Sequence, residues 1–356
     1  MPQDRRNSAL ARASRPCKRR VAPILGVLAM AALVSILFAC SIGSITLPAP
    51  ALLQALADFF GMSGNGVPTA DSALATTLLE LRLDRALTGF VTGAMLALAG
   101  VMMQALLRNP LADPYVLGVS GGAAVGALAS MLFFSAAWII DMAAFGGALA
   151  VALLLFILAN RDLRGGIIDG NAPFLLLTGV IVASGCGALI AMMLSIAPDN
   201  RLRGMVFWLI GDLSGAQLRW LPWLILGGAT IYALRMARSI NLIAQHAEAA
   251  ATLGVRVGAL KQGLFICSAL LTASAVANAG SIGFVGLIVP HACRFAFGPD
   301  HRLLMPAATL VGGAFMVLAD TLARSVVAPQ QLPVGVITAL IGVPIFLLQL
   351  HHVRRR

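Results

Sequence analysis

The chain has 356 residues, of which 59% are hydrophobic and 11% charged, with a formal net charge of +11 and a mean hydropathy of +0.91. Repeated apolar runs close to the ~20 residues that cross a bilayer exclude a soluble protein and define a polytopic helical membrane protein. The positive charge does not describe a nucleic-acid surface, because it is not interleaved with aromatics: many basic residues sit in the N-terminal tail (Arg5, Arg6, Arg12, Arg15, Lys18, Arg19, Arg20) or at the far end (Arg354, Arg355, Arg356).

Charge so placed is what the positive-inside rule expects of two cytoplasmic termini, and termini on one side require an even number of spans. Apolar length, flanking charge and turn residues together give about ten. The first, 21–42, is too long for a signal-peptide core, so Leu37-Phe38-Ala39-Cys40 is read as part of a span and not as a lipoprotein cleavage site. An external segment follows over 43–80, with a short interfacial helix at 52–60. The second span, 86–107, is entered by Leu81-Arg82-Leu83-Asp84-Arg85 and ends at the inward-facing turn from Arg108 to Pro114.

Spans at 115–134 and 138–159 return to an internal loop at Arg161, Asp162 and Arg164, and a fifth runs over 174–196. An external segment, 198–215, leads to the sixth span at 220–234. The stretch 239–258 is then cytoplasmic. It is an island of mixed polarity: Asn241 is placed to cap a short surface helix, and Gly254 to stop it. The seventh span, 261–279, ends at the glycine-rich break from Gly280 to Gly286, and further spans follow at 284–297, 303–323 and 334–350. Small residues at Gly89/Gly93, Gly118/Gly122 and Gly122/Gly126 have the four-residue spacing of close helix packing. The five cysteines, Cys17, Cys40, Cys186, Cys267 and Cys293, have no CxxC spacing and read as small apolar residues.

A transporter needs an energy source. Ion-coupled carriers place titratable groups deep in their spans, whereas here the carboxylates (Glu80, Asp113, Asp162, Asp212, Asp300, Asp320) fall almost entirely at span ends. A P-loop requires GxxxxGK[ST], and neither of the two lysines, Lys18 and Lys261, has that context. If the chain pumps, a partner hydrolyses ATP. An intramembrane serine protease built on Ser120 and His291 is the competing class; the GxSG pattern around Ser120 is frequent by chance in a chain with 36 glycines. The histidines at 246, 301, 351 and 352 lie in expected loops or tails, which disfavours a haem-carrying bundle. Arg82, Arg85 and Arg324 fall at external span boundaries, where they either snorkel to lipid phosphates or offer guanidinium forks to an acidic partner.

Three sets of residues resemble the permeases of bacterial importers for iron-siderophores, haem and cobalamin. They are Leu81 to Arg85 with Met103-Gln104-Ala105-Leu106-Leu107-Arg108-Asn109-Pro110-Leu111-Ala112-Asp113-Pro114 and Leu117 to Gly122; Gly283 to His291 with Gly298-Pro299-Asp300-His301-Arg302; and Leu332 to Pro344. The likeness runs in order over about residues 80 to 350. It implies an all-α polytopic membrane protein with about ten transmembrane helices in the BtuC-like permease fold. One permease domain, 21–350, would lie between basic tails at 1–20 and 351–356. The expected assembly is a homodimer in the bacterial inner membrane, with two cytoplasmic ATPase subunits that use ATP and Mg, and a periplasmic substrate-binding protein. The chain itself is expected to bind no cofactor, metal or nucleic acid.

By the same resemblance, 239–258 is the coupling segment that seats in the ATPase, centred on Glu248, Ala249, Ala250, Leu253 and Gly254. Arg82, Arg85 and Arg324 are the docking residues for the binding protein, with Asp84 where the family usually has proline. Asn109, Leu111, Asn171 and Ala172 form the cytoplasmic gate, and the path lies between the fifth and tenth spans of the two copies, where Met192 and Met193 are candidate lining residues. The cargo is read as an iron chelate, ferric siderophore or haem, with cobalamin as the alternative.

Overall fold

The computed structural model describes residues 18–43, 70–134, 136–160, 172–215, 219–245 and 247–354. Among them are twelve α-helices and no strand: α1 (Lys18–Ser41), α2 (Ala70–Leu107), α3 (Val119–Phe133), α4 (Ala137–Leu158), α5 (Ala172–Ile196), α6 (Asp199–Ile210), α7 (Trp220–Gln245), α8 (Ala247–Thr252), α9 (Val257–Ala279), α10 (Val285–Phe297), α11 (His301–Ser325) and α12 (Val334–Arg354). A 3-10 turn, Pro114–Leu117, joins α2 to α3. The interfacial helix expected at 52–60, the charged loop at 161–164 and Asn171 lie outside the described residues.

Six helices, α1, α2, α4, α5, α9 and α11, are long and apolar enough to cross a membrane by length and composition, and α3, α10 and part of α12 are apolar but shorter. Ten crossings require those three and α7 as well; length and composition alone establish the six. Two expected boundaries move. The second helix begins at Ala70 instead of residue 86, because no glycine or proline interrupts the run up to Arg85. The helix that enters at Trp220 continues to Gln245 instead of ending near 234. Asn241 therefore lies inside a helix and caps nothing; its side chain is drawn to the start of α11. Most of the segment expected to lie outside the spans at 198–215 is the helix α6, which begins after Pro198 and ends at Gly211.

The bundle is built around α2. Every residue from Val91 to Leu107 is buried, and α1, α7, α9, α10 and α11 pack against it. Glycine sets how closely they approach. A Cβ at Gly93 would collide with the carbonyl oxygen of Gly312 on α11, and one at Gly100 with that of Gly286 on α10. The α3–α4 pair is joined in the same way, with Gly122 facing Gly147 and Gly126 facing Ala143. Such contacts supply the dispersion attraction that lipid-exposed apolar side chains cannot. Two polar bonds add direction: Ser268 Oγ donates to the Ala99 carbonyl at 3.2 Å, and Asn278 Nδ2 to Thr92 Oγ1 at 3.2 Å. By contrast α1, α4 and α5 lie at the periphery, with Leu177, Val180, Ile181 and Met192 exposed on α5 and Met193 buried. Cys40, Cys186 and Cys293 are buried and free, in keeping with their reading as small apolar side chains.

Adjacent glycines on α4 give a matched test of the packing. A Cβ at Gly147 would meet the Gly122 carbonyl, whereas one at Gly146 meets nothing within 4 Å. Gly147→Val is expected to destabilise the detergent-solubilised protein by about 1–3 kcal/mol or more, the cost of overpacking, with Gly146→Val close to neutral. Thermal melts followed by size-exclusion chromatography measure the difference.

Candidate functional site

The coupling stretch is divided between the end of α7, the short helix α8, and the turn into α9. Glu248, Ala249 and Ala250 lie on α8, and Ala250 is fully buried while Leu253 is 67% exposed. Gly254 takes a φ of 84°. Its amide donates to the Ala251 carbonyl at 3.0 Å, and the Val255 amide to that of Ala250 at 3.0 Å. This is the glycine-terminated closure that satisfies the last carbonyls of a helix, so the expected stop at Gly254 is present. Beside it, a concavity of about 550 Å³ is lined by Tyr232, Met236, Leu253, Val255, Arg256 and Leu260 among others.

The root of this stretch is fixed by Asn241. Its Nδ2 donates to Asp300 Oδ1 at 2.7 Å, and its Oδ1 accepts from the His301 amide at 2.9 Å and lies 2.7 Å from His301 Nδ1. An amide oxygen only accepts, so Nδ1 carries the proton. Asp300 also caps α11 by accepting from the Arg302 amide at 3.0 Å.

At the end of α2, Arg108 turns the chain with a φ of 50°, and Pro110 follows it. The Asn109 amide donates to the Gln104 carbonyl at 3.2 Å, and Asn109 Oδ1 accepts from the Leu111 amide at 2.9 Å, an Asx turn. Leu111 is 44% exposed. Asp113 then caps the 3-10 turn by accepting from the Tyr115 amide at 2.8 Å, and that turn packs on α5, which Ala172 opens. Desolvation pushes the Asp113 carboxyl up to about 6 in spite of the amide bond. Above the turn, Gln104 Oε1 accepts from Arg294 Nη2 at 2.9 Å, and Gln104 Nε2 donates to the Leu287 carbonyl at 3.4 Å.

Arg82 and Arg85, in the N-terminal half of α2, are brought together with Arg324 of α11, and each is engaged inside the chain. Arg85 holds Asp320 through two nitrogens, Nε to Oδ2 at 2.9 Å and Nη2 to Oδ1 at 2.8 Å, and its Nη1 donates to Gln331 Oε1 at 2.8 Å. Arg324, four residues along α11 from Asp320, lies 3.7 Å from the same carboxylate and also donates to the Ala39 carbonyl. Arg82 Nη1 donates to the Cys40 carbonyl at 3.0 Å. Two of the three thus cap the C-terminus of α1, where cations are favoured.

Sequence reasoning overlooked Asp320 as a partner of these arginines and Asn241, Gln104 and Arg294 as structural polar groups. Their signals were present: Asp320 and Arg324 are an i,i+4 pair, and Gln104 and Arg294 are polar residues inside apolar runs. Ser120 and His291 form no dyad among the described residues; His291 Nδ1 has no hydrogen-bond partner.

An all-α bundle with glycine-mediated packing around one enclosed helix, and with six helices long and apolar enough to cross a bilayer, is the build of a polytopic membrane protein. The chain belongs to the FecCD transport family, whose profile matches residues 31–352. It is 43% identical over 291 residues to the cobalamin import system permease protein BtuC of Halobacterium salinarum, covering 79% of this chain and 74% of that one. It is 42% identical over 279 residues to the hemin transport system permease protein HmuU of Yersinia pestis, covering 76% and 81%. Its fold matches a solved metal-chelate type ABC transporter in an inward-facing conformation with a TM-score of 0.79, at 29% identity, over 93% of this chain and 99% of that one.

Removal of the shared carboxylate by Asp320→Ala leaves buried Arg324 and half-buried Arg85 without it, and is expected to cost about 3–5 kcal/mol, read as a lowered melting temperature in detergent. Asp113 gives a pH signature. A carboxyl raised above its unfolded value stabilises the fold fully below pH ~4, and that contribution is lost as pH rises through about 6. Asp113→Asn is expected to flatten the stability profile between those limits, and Asp113→Ala, which removes the cap as well as the carboxyl, is expected to be equally flat but about 1 kcal/mol below Asp113→Asn at every pH.

Proposed function

We propose that this chain is the permease subunit of an ATP-driven ABC importer that moves an iron chelate, ferric siderophore or haem, across the bacterial inner membrane, with both termini cytoplasmic. The observation that carries the reading is the family match over nearly the whole chain, together with the fold likeness to a metal-chelate type ABC transporter. Cobalamin is the second reading, favoured by the 43% identity to a cobalamin permease.

In this reading two copies pair, two ATPase subunits bind below, and a periplasmic binding protein delivers the chelate above. The chain supplies no ATPase motif and holds no cofactor or metal; ATP and Mg belong to the partner subunit. Glu248, Ala249, Ala250, Leu253 and Gly254 form the contact with the ATPase, a role supported by the exposed Leu253 next to the capped end of α8. Asn109 and Leu111, with Asn171 and Ala172, form the gate, supported by the exposed Leu111 on a tightly bonded turn. The pathway runs between α5 and α12 of the two copies, whose apolar faces at Leu177, Ile181, Met192, Leu340 and Val343 are exposed in the single chain. Arg82, Arg85 and Arg324 dock the binding protein. Since Arg85 is held by Asp320, an incoming carboxylate competes with Asp320 for it, and docking loosens the bond between α2 and α11.

The cycle follows from two alternative packings biased by nucleotide. ATP closes the ATPase pair, the coupling segments move with their seats, and the paired helices change the side to which the pathway opens. Proteoliposomes containing the permease, its ATPase and the binding protein test this with radiolabelled haemin, a ferric siderophore and cyanocobalamin offered separately. Uptake of an iron chelate that depends on ATP, and that falls at least about tenfold in Glu248→Ala and Glu248→Arg, is the expected result. Uptake of cyanocobalamin alone moves the assignment to cobalamin, and uptake unchanged in both variants removes the coupling role from Glu248.

A further inference from the structure

The coupling segment and the gate turn belong to different parts of the chain, yet a path of hydrogen bonds and one short stretch of backbone joins them. It starts at Asn241 on α7, which grips Asp300 and His301 at the entry to α11. Asp300 is separated from the end of α10 only by Gly298 and Pro299, and the Gly298 amide is tied back to the Arg294 carbonyl at 2.9 Å. The side chain of Arg294 reaches across to Gln104 on α2. Gln104 is bonded in turn to the Leu287 carbonyl, and through its own carbonyl to the amide of Asn109. Asn109 then positions Leu111.

Burial makes this path stiff. Gln104 and His301 are 3% and 4% exposed, and a buried polar group that loses its partner costs about 1–3 kcal/mol. The bonds therefore resist separation when one end is displaced. The His301 amide and Nδ1 both meet Asn241 Oδ1, so a shift of α7 pulls on two donors at once. α10 and α11, joined by three residues, transmit that shift as a body to Arg294 and Gln104.

We propose that Asn241, Asp300, His301, Arg294 and Gln104 are positioning residues that carry displacement of the coupling segment to the gate turn at Asn109 and Leu111. The inference rests on the permease reading above and names the connection between two of its sites. It assigns no contact with cargo or nucleotide to these five residues. Asn241 is the place to break the bridge, because its amide serves α11 on both of its atoms. The break is reversible by design: exchanging amide and carboxylate in Asn241→Asp/Asp300→Asn keeps an acceptor for His301 and a donor–acceptor pair between 241 and 300. Asp300 Oδ1 also accepts from the Arg302 amide, a bond the exchange gives up, and Asp300→Asn alone is the control for its loss.

The test uses the full chain assembled with its ATPase subunits in lipid nanodiscs, with Leu111→Cys as a reporter in a background whose native cysteines are serine. Its labelling rate by a water-soluble maleimide is compared between the nucleotide-free complex and the complex trapped with ATP and vanadate, so no cargo is needed. The expected result is a nucleotide-dependent change in rate that drops by about tenfold, a usual size for coupling between sites, in Asn241→Leu and in Gln104→Met, and that returns in the exchanged pair. A change that survives in Asn241→Leu overturns the bridge and leaves the permease reading standing. An unaltered rate in the parent complex, with ATP hydrolysed, overturns the assignment of Leu111 to the gate and the bridge with it. Loss in Asn241→Leu without recovery in the exchanged pair also overturns the bridge, since it reduces Asn241 to a residue needed for folding alone.

Discussion

The enclosure of α2 is the constraint to which the other helices conform. Inside a bilayer apolar side chains gain nothing by leaving lipid for protein, so helices associate through close packing and a few polar bonds. A helix surrounded by five others must let several of them approach its backbone, and only small residues permit it. Gly93 against Gly312 and Gly100 against Gly286 are those approaches. They fix the depth at which α10 and α11 sit beside α2, and with it the positions of Gln104 and Arg294 at one end and of Arg85 and Asp320 at the other. A shift of one helical turn at the glycine contacts would break both polar sets.

The polar sets differ in kind. At the Arg85 end the bonds are charge-assisted and bidentate, which fixes orientation as well as distance. Buried ion pairs contribute little net stability, because desolvation offsets attraction; their effect here is to specify how α2 and α11 face each other. At the Asn241 end a single amide meets the Asp300 carboxylate through Nδ2 and the His301 amide and imidazole through Oδ1. Buried bonds of this kind cost about 1–3 kcal/mol to leave unmade, so they pass a displacement on instead of absorbing it.

Hydrophobic length and glycine spacing, the strongest signals in a membrane protein, made the helical class, the break after Ala279 and most span positions legible in the sequence. The stop at Gly254 was readable because glycine is the residue that accepts the left-handed backbone of that position. Helix ends were less legible. Nothing between Ala70 and Arg85 announces a soluble or an inserted segment, and the polar residues that end a hydrophobic run need not end the helix, as α7 shows at Arg235 and Arg238. Asn241 was misread because asparagine caps helices more often than it crosslinks them; its true partners lie 59 and 60 residues away, beyond any local pattern. The three arginines were singled out from their places in the sequence, but their attachment to Asp320 and to the end of α1 depends on tertiary contacts.

The clamp on α1 also bears on how the protein is made. α1 touches the bundle along a narrow face, and its last carbonyls, Ala39 and Cys40, are satisfied by Arg324 and Arg82. Ala39 and Arg324 are 285 residues apart, so α1 is inserted long before α11 exists. Until then Arg82 is the one of these two cations already synthesised, and the helix is held by half of its final attachment. The clasp on α1 closes only when α11 arrives to complete it.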